Sequence, residues 1–362
     1  MIPVAAHIEL NMCALQHNVA KVHEYAPQSQ LIAVIKANAY GHGLIRIAHA
    51  LQGSVDAFAV ARLDEAIRLR QAEVTGTILV LQGITQLDEL QVLQQYQLDI
   101  VVHTEQQVEL LEVADLAKKL NIWLKIDTGM HRLGIRPEQL ASILTRLQQC
   151  PVVADSIKFM THFANADDPQ DAMTSQQLQL FNTITQDFLA EKSSANSAAI
   201  IAWPASHQQW VRPGLMLYGA APILGKSAAE LGLLPVMSLY AGLIAIKTLS
   251  KGDNVGYGGH WTAAEDTLLG VVAIGYGDGY PRHIREGASV LIGAQRVPII
   301  GRVSMDMLTV DLSAYPDATV GEQVTLWGAG LPVEEIAHYA DTIPYTLLCG
   351  ITQRVRVQIK ND

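Results

Sequence analysis

The chain has 362 residues, enough for about two domains at a typical ~150 residues each, and it is 49% hydrophobic and 17% charged, which excludes a disordered composition. A net charge of −10 with no basic block argues against a nucleic-acid partner. Three widely separated cysteines, Cys13, Cys150 and Cys349, offer neither a disulfide framework nor a C-x-x-C metal knuckle, and no stretch reaches the ~20 apolar residues of a membrane span.

The segment Met1 to Ala20 contains no lysine or arginine and no long apolar run, so it lacks the parts of a secretory signal. A soluble, cytoplasmic protein with reduced thiols is expected. Asn11 is placed to cap an opening helix over Met12–Tyr25. Next comes the most informative run of the chain, Ala33-Val34-Ile35-Lys36-Ala37-Asn38-Ala39-Tyr40-Gly41-His42-Gly43. Leu31 to Ile35 is apolar, β-branched and of strand length, and a lysine closes it. A buried cation there is costly. A Schiff base between the Lys36 amine and an aldehyde cofactor would remove that cost. A strand-end lysine that snorkels into water is the other reading of these residues.

From about residue 30 to 220, short apolar runs alternate with longer segments of helical period. The runs are Leu31–Ile35, Asp56–Ala61, Thr77–Leu81, Leu98–Val102, Ile122–Ile126 and Ile157–Thr161. Leu63–Ala72, Leu87–Tyr96, Gln106–Leu120 and Gln139–Gln148 lie between them and read as helices. This is a series of βα units with parallel strands. Ser193–Ala199 and Trp210–Leu215 supply two weaker strands and complete an eight-stranded (β/α)₈ barrel, with an open doubly wound sheet as the alternative. Ala220-Ala221-Pro222-Ile223-Leu224-Gly225-Lys226-Ser227 nearly fits a phosphate-binding loop but lacks its first glycine and a strand–loop–helix setting.

After about residue 230 the pattern becomes strand-like: Met237–Thr248, Thr267–Ile274, Ala288–Ile292, Val297–Arg302, Leu308–Leu312, Gln323–Trp327 and Arg354–Ile359, with one helix at Val333–Tyr339. The expected division is a barrel over residues 1–232 and a mostly β domain over 233–362, with Ala221–Leu234 as the connection.

With the Lys36 run, several ordered segments carry a resemblance across nearly the whole chain. They are Lys125-Ile126-Asp127-Thr128-Gly129-Met130-His131-Arg132-Leu133-Gly134, Asn196-Ser197-Ala198-Ala199, Arg212-Pro213-Gly214-Leu215-Met216-Leu217-Tyr218-Gly219 and Val255-Gly256-Tyr257-Gly258. Gly275-Tyr276-Gly277-Asp278-Gly279-Tyr280-Pro281-Arg282 and Gly301-Arg302-Val303-Ser304-Met305-Asp306 follow in the same order. Together they resemble the alanine racemases, which depend on pyridoxal phosphate. The resemblance implies a barrel followed by a β domain that the strand near His7–Leu10 joins. It also implies a homodimer with sites shared between subunits, and a small substrate, alanine. The product D-alanine would serve peptidoglycan synthesis, or the enzyme alanine catabolism. A decarboxylase on a related barrel and a non-catalytic pyridoxal-phosphate-binding protein are the rival readings.

The resemblance assigns roles residue by residue. Lys36 would carry the cofactor aldimine and exchange a proton with the D-enantiomer. Tyr257, from the other subunit, would serve the L-enantiomer. A phenol is a poor base at neutral pH, so nearby positive charge has to favour its phenolate. Arg212 would donate to the cofactor ring nitrogen, and an arginine, which keeps its proton, would weaken the electron sink. His162, at the end of a barrel strand, would lie near Arg212. Arg132 would sit near the cofactor's phenolic oxygen and the substrate carboxylate, and Lys125 matches a lysine that some relatives carry as a carbamate. Tyr40, Ser197 and the backbone N–H groups near Gly214 and Leu215 would meet the phosphate. Met305 would contact the substrate carboxylate, and Tyr276 would narrow the entrance. Gln353 stands where many relatives have a tyrosine. No histidine spacing suggests a metal.

Overall fold

The computed structural model describes residues 5–360. Its contacts divide the chain into two compact units. Of the described residues, 5–17, Tyr218–Ala221 and 227–360 form one unit; Asn18–Leu217 and Pro222–Lys226 form the other.

The second of these is a closed barrel of parallel strands. After β1 (His7–Asn11), which belongs to the other unit, the barrel strands are β2 (Gln30–Val34), β3 (Ala57–Val60), β4 (Thr77–Val80) and β5 (Asp99–Val102). They continue with β6 (Ile122–Lys125), β7 (Lys158–Met160), β8 (Lys192–Asn196) and β9 (Trp210–Arg212). Each strand pairs with the next, and β9 returns to β2 through Gln30 opposite Trp210 and Leu31 opposite Val211. A closed barrel has no sheet edge, and its strands are covered on both faces. Hence β3 and β5 are buried at every position. The closed ring settles the choice between barrel and open sheet.

Two sequence expectations need correction. The helix read over Gln106–Leu120 stops at Glu112. Beyond it the chain is held by the neighbouring helix Asp88–Gln95: Gln91 donates to the Asp115 carbonyl, and Gln94 accepts from the Lys118 N–H. The single helix expected in the β-rich part is two helices. Val333–Tyr339 is followed by Pro344–Gly350, which opens on a proline and buries Leu347 and Leu348. The opening helix does span Met12–Tyr25, capped by Asn11, whose Oδ1 accepts from the Ala14 N–H at 2.8 Å.

The other unit is a sheet of eight strands in the order β13-β16-β15-β14-β17-β10-β1-β18, with β13 also paired to β10. They are β10 (Met237–Leu249), β13 (Thr267–Val272), β14 (Ser289–Ile292), β15 (Gln295–Ile300), β16 (Leu308–Asp311), β17 (Gln323–Trp327) and β18 (Arg356–Lys360). The 13-residue β10 shifts register at Leu239/Tyr240 and at Leu243/Ala245, which lets one strand serve both ends of the ring. A short ladder of β11 (Asn254–Val255) and β12 (Trp261–Thr262) projects beside it. Among the described residues, no helix is long and apolar enough to cross a membrane.

Candidate active site

The C-terminal ends of the barrel strands carry nine of the residues singled out from the sequence. Lys36 follows β2 by two positions and opens an unusual turn. Ala37, Asn38, Ala39 and Tyr40 all have left-handed backbone, with φ of 53°, 55°, 53° and 52°. None is glycine, and left-handed backbone costs an L-residue about 1–2 kcal/mol. Such strain persists only where surrounding contacts over-determine it. Here the Asn38 Oδ1 accepts from the Leu44 N–H at 2.9 Å, and the Gly43 N–H donates to the Asn38 carbonyl at 2.8 Å. The His42 Nδ1 lies 3.1 Å from the Ala39 carbonyl and 2.9 Å from that of Tyr40. Burial holds His42 down at about 4, so it is a neutral ring near pH 7.

Tyr40 is buried, and its hydroxyl points at Gly214, the second residue after β9. The backbone there is fastened by Ser197, whose hydroxyl accepts from the Gly214 N–H at 2.8 Å and from the Met216 N–H at 3.3 Å. Leu215, between them, is buried.

Arg212 ends β9 and is buried. Its Nη1 donates to the Ser193 hydroxyl at 2.7 Å, and its Nη2 to the Thr161 carbonyl at 2.6 Å. Burial lowers its pKa to about 10, still far above neutrality, so it remains a cation. Its Nη2 also lies 3.4 Å from the His162 Nδ1, which must accept there. Burial, then Arg212, Lys125, Arg132 and Lys36, hold His162 well below the usual imidazole range. Lys125, the last residue of β6, is pulled down to about 8 by burial and by Arg212 and Arg132, while Asp127 acts the other way. Arg132 is exposed on the loop that follows. Four cations thus converge on one rim, which suits an anionic guest.

The loops of this rim are joined in neighbouring pairs, and a side chain fastens each pair. Glu65 accepts from Ala37 after β2, at 2.7 Å, and from Ala61 and Arg62 after β3, at 2.9 and 3.2 Å. Gln107 donates to the Ile84 carbonyl after β4 at 3.0 Å and accepts from the His103 N–H after β5 at 2.7 Å. Gln177 lies 3.4 Å from the Thr128 hydroxyl after β6, and joins the His162 carbonyl and Ala164 N–H after β7 at 3.2 and 2.9 Å. Ser197 ties the end of β8 to the turn after β9. Sequence reasoning missed the first three. Only Thr104-Glu105-Gln106-Gln107 carries a visible signal, the capping-box spacing.

Tyr257, Tyr276 and Met305 belong to the β-rich unit. Tyr257 follows β11 in a turn where Gly256 and Gly258 have φ of 72° and 79°, and the residue is 72% exposed. Tyr276 and Met305 are neighbours: the Tyr276 N–H donates to the Ser304 carbonyl at 3.1 Å, and the Gly277 N–H to that of Met305 at 2.8 Å. Arg354 bridges Asp278 and Asp306 beside them, at 3.0 and 2.7 Å. Gln353 is exposed in the preceding turn. Among the described residues no group of three histidine, cysteine or acidic side chains could hold a metal.

Residues 10–222 match the family described as alanine racemase, N-terminal domain, and residues 236–359 match alanine racemase, C-terminal domain. The chain belongs to the alanine racemase family. It is 49% identical over 349 residues to the alanine racemase of Shewanella sp. (strain MR-4), covering 96% of this chain and 97% of that one. It is also 49% identical to the alanine racemase of Vibrio cholerae, over 98% of both chains. Among solved structures, the biosynthetic alanine racemase of Pseudomonas aeruginosa superposes over 100% of both chains with a TM-score of 0.96 at 44% identity. The alanine racemase of Acinetobacter baumannii follows with a TM-score of 0.93 at 35% identity. The cationic rim of the barrel is thus the rim of a racemase-family barrel.

Proposed function

We propose that this protein interconverts L- and D-alanine, with pyridoxal 5'-phosphate held at the barrel mouth. The observation that carries the reading is the gathering of Lys36, Lys125, Arg132 and Arg212 around His162 on one rim. The donor set fits the cofactor. A primary amine, Lys36, suits its aldehyde. The Tyr40–Gly214 cradle, too narrow for a Cβ, and the Ser197 hydroxyl suit its phosphate. The remaining cations suit its phenolic oxygen and a substrate carboxylate.

When bound, the cofactor withdraws electrons from the α-carbon of an attached amino acid and acidifies its α-hydrogen. The protein's residues then govern that proton. Lys36 moves it on one face of the α-carbon and Tyr257 on the other, Lys36 serving D-alanine and Tyr257 L-alanine. Arg212 holds donors and no acceptor, so toward the ring nitrogen it only donates. Its backbone and hydroxyl partners at Thr161 and Ser193 fix its orientation. His162, kept neutral first by burial and then by the cations around it, adds no positive charge to the rim. Arg132 and the Met305 segment would orient the carboxylate, and Tyr276 would narrow the entrance. These roles divide between a cofactor-holding barrel, taken to end near residue 232, and the β domain.

The β-rich unit exposes Tyr257, Tyr276, Met305 and Met307 by 72, 38, 53 and 44%. Such exposure of large apolar side chains supports a contact with a second copy. We read the assembly as a head-to-tail homodimer in which Tyr257 and Met305 complete the partner's site. A cytoplasmic location and a supply of D-alanine to peptidoglycan or to alanine catabolism complete the reading. Chiral chromatography of L-alanine incubated with the protein tests it. Activity must vanish when pyridoxal phosphate is stripped and return when it is restored. Undiminished racemisation by the stripped protein, or carbon dioxide release from basic amino acids instead, overturns it.

A further inference from the structure

The three long-reaching loop clamps differ in one respect. Gln107 and Gln177 are amides, whereas Glu65 is a carboxylate. The groups they face explain this. Gln107 must satisfy N–H donors at His103 and Thr104 and a carbonyl at Ile84; Gln177 likewise faces the Ala164 N–H and the His162 carbonyl. An amide offers both an acceptor and a donor. Glu65 faces three N–H groups, those of Ala37, Ala61 and Arg62, and only a carboxylate accepts on both oxygens. It is also buried, at 5% exposure.

Capping its own helix, Leu63–Gln71, needs only the oxygen that meets Ala61 and Arg62. The other oxygen leaves that task and takes the N–H of Ala37, 28 residues away. Ala37 adjoins Lys36 and is the first of the four left-handed residues. A peptide held there by a charge-assisted bond fixes where the Lys36 stem departs. We infer that Glu65 is a positioning residue for Lys36: its carboxylate fixes the strained turn and so aims the Lys36 amine.

The inference rests on the role of Lys36 given above. Glu65→Gln keeps the shape but turns an NH₂ group toward an N–H donor. Gln107→Glu makes the converse mismatch, an oxygen against the Ile84 carbonyl, in a clamp that does not touch the turn after β2. Both variants should melt at lower temperature than wild type. Only Glu65→Gln should lose kcat per bound cofactor, by about 10- to 100-fold as misplacement of a reacting group does. It alone should also weaken the retention of pyridoxal phosphate in equilibrium dialysis and change the visible circular dichroism of the bound cofactor. If Glu65→Gln keeps wild-type kcat and dialysis constant, or Gln107→Glu changes them equally, the inference is overturned. Should the amide variant not fold, Glu65→Asp carries the test, since it keeps charge and acceptors but draws them back by one methylene. An unchanged kcat and circular dichroism there overturn it too. Peptide mapping of borohydride-reduced wild type separates the two failures. A pyridoxyl group absent from Lys36 refutes the role of the lysine; one present on Lys36, with Glu65 variants unaffected, refutes only the positioning.

Discussion

Tyr40 and Gly214 fit against each other so closely that a Cβ at position 214 would stand 2.4 Å from the tyrosine hydroxyl oxygen and 3.2 Å from its Cζ. Overpacking of this kind costs about 1–3 kcal/mol in a buried site. Gly214→Ala should therefore lower the urea midpoint and weaken cofactor binding. Tyr40→Phe removes the nearer of the two clashing atoms. The double variant should be more stable than the two single effects add up to, because the contact is shared. Strict additivity would show that the two residues do not touch.

Lys36 should be the site of cofactor attachment. Borohydride reduction followed by peptide mapping should find a pyridoxyl group on Lys36, and Lys36→Ala should lose about 10²- to 10⁴-fold in racemisation. A label on Lys125 or Lys158 would refute the assignment.

If sites are shared between copies, two dead proteins can make a live one. Lys36→Ala and Tyr257→Phe chains, mixed and allowed to exchange, should regain about a quarter of wild-type activity: half the dimers are mixed and each holds one intact site. Proven mixed dimers with no recovery would place both residues in one chain's site.

Lys125 makes a prediction about pH. Its folded value of about 8 lies below the free lysine value of 10.5, so between them the unfolded chain binds more protons. Stability then rises with pH across that window. Lys125→Met should be stabilised relative to wild type by a constant amount below pH 8, with the difference shrinking as pH climbs from 8 to 10.5. An advantage flat to the end of the window would exclude the titration. A substantial neutral-amine fraction also favours reaction with carbon dioxide. Labelled bicarbonate should give a carbamate carbon signal in NMR that is absent from Lys125→Met.

Much of the barrel was legible because strands buried on both faces are continuous apolar runs, as in Ala57–Val60 and Ile100–Val102. The runs at β8 and β9 were fainter because buried polar residues interrupt them, each satisfied by a partner inside the fold. Ser193 accepts from Arg212, and Ser194 donates to the Ser206 carbonyl. The ladder β11–β12 has two residue pairs, too few for any period. The residues around Lys36 were readable by chemistry, but the left-handed turn was not, since Ala-Asn-Ala-Tyr contains no glycine to announce it. Glu65 and Gln177 were invisible for another reason. Their partners include backbone atoms of loops far along the chain, and a sequence shows no address for a backbone atom.

The pairing of the rim loops makes the barrel a set of four quarters, β2 with β3, β4 with β5, β6 with β7 and β8 with β9. Each quarter carries its own fastening within a contiguous stretch of chain. A cut in the irregular segment 113–119 would sever the polypeptide between β5 and β6 without separating either member of any clamp from the other. Lys36 with its turn would go to one fragment, and Arg212, Ser197 and His162 to the other. The two halves are thus units to try in fragment complementation: each keeps whole clamps, and their association has to restore the β2–β9 and β5–β6 pairings, the Tyr40–Gly214 fit and the place of β1 in its sheet.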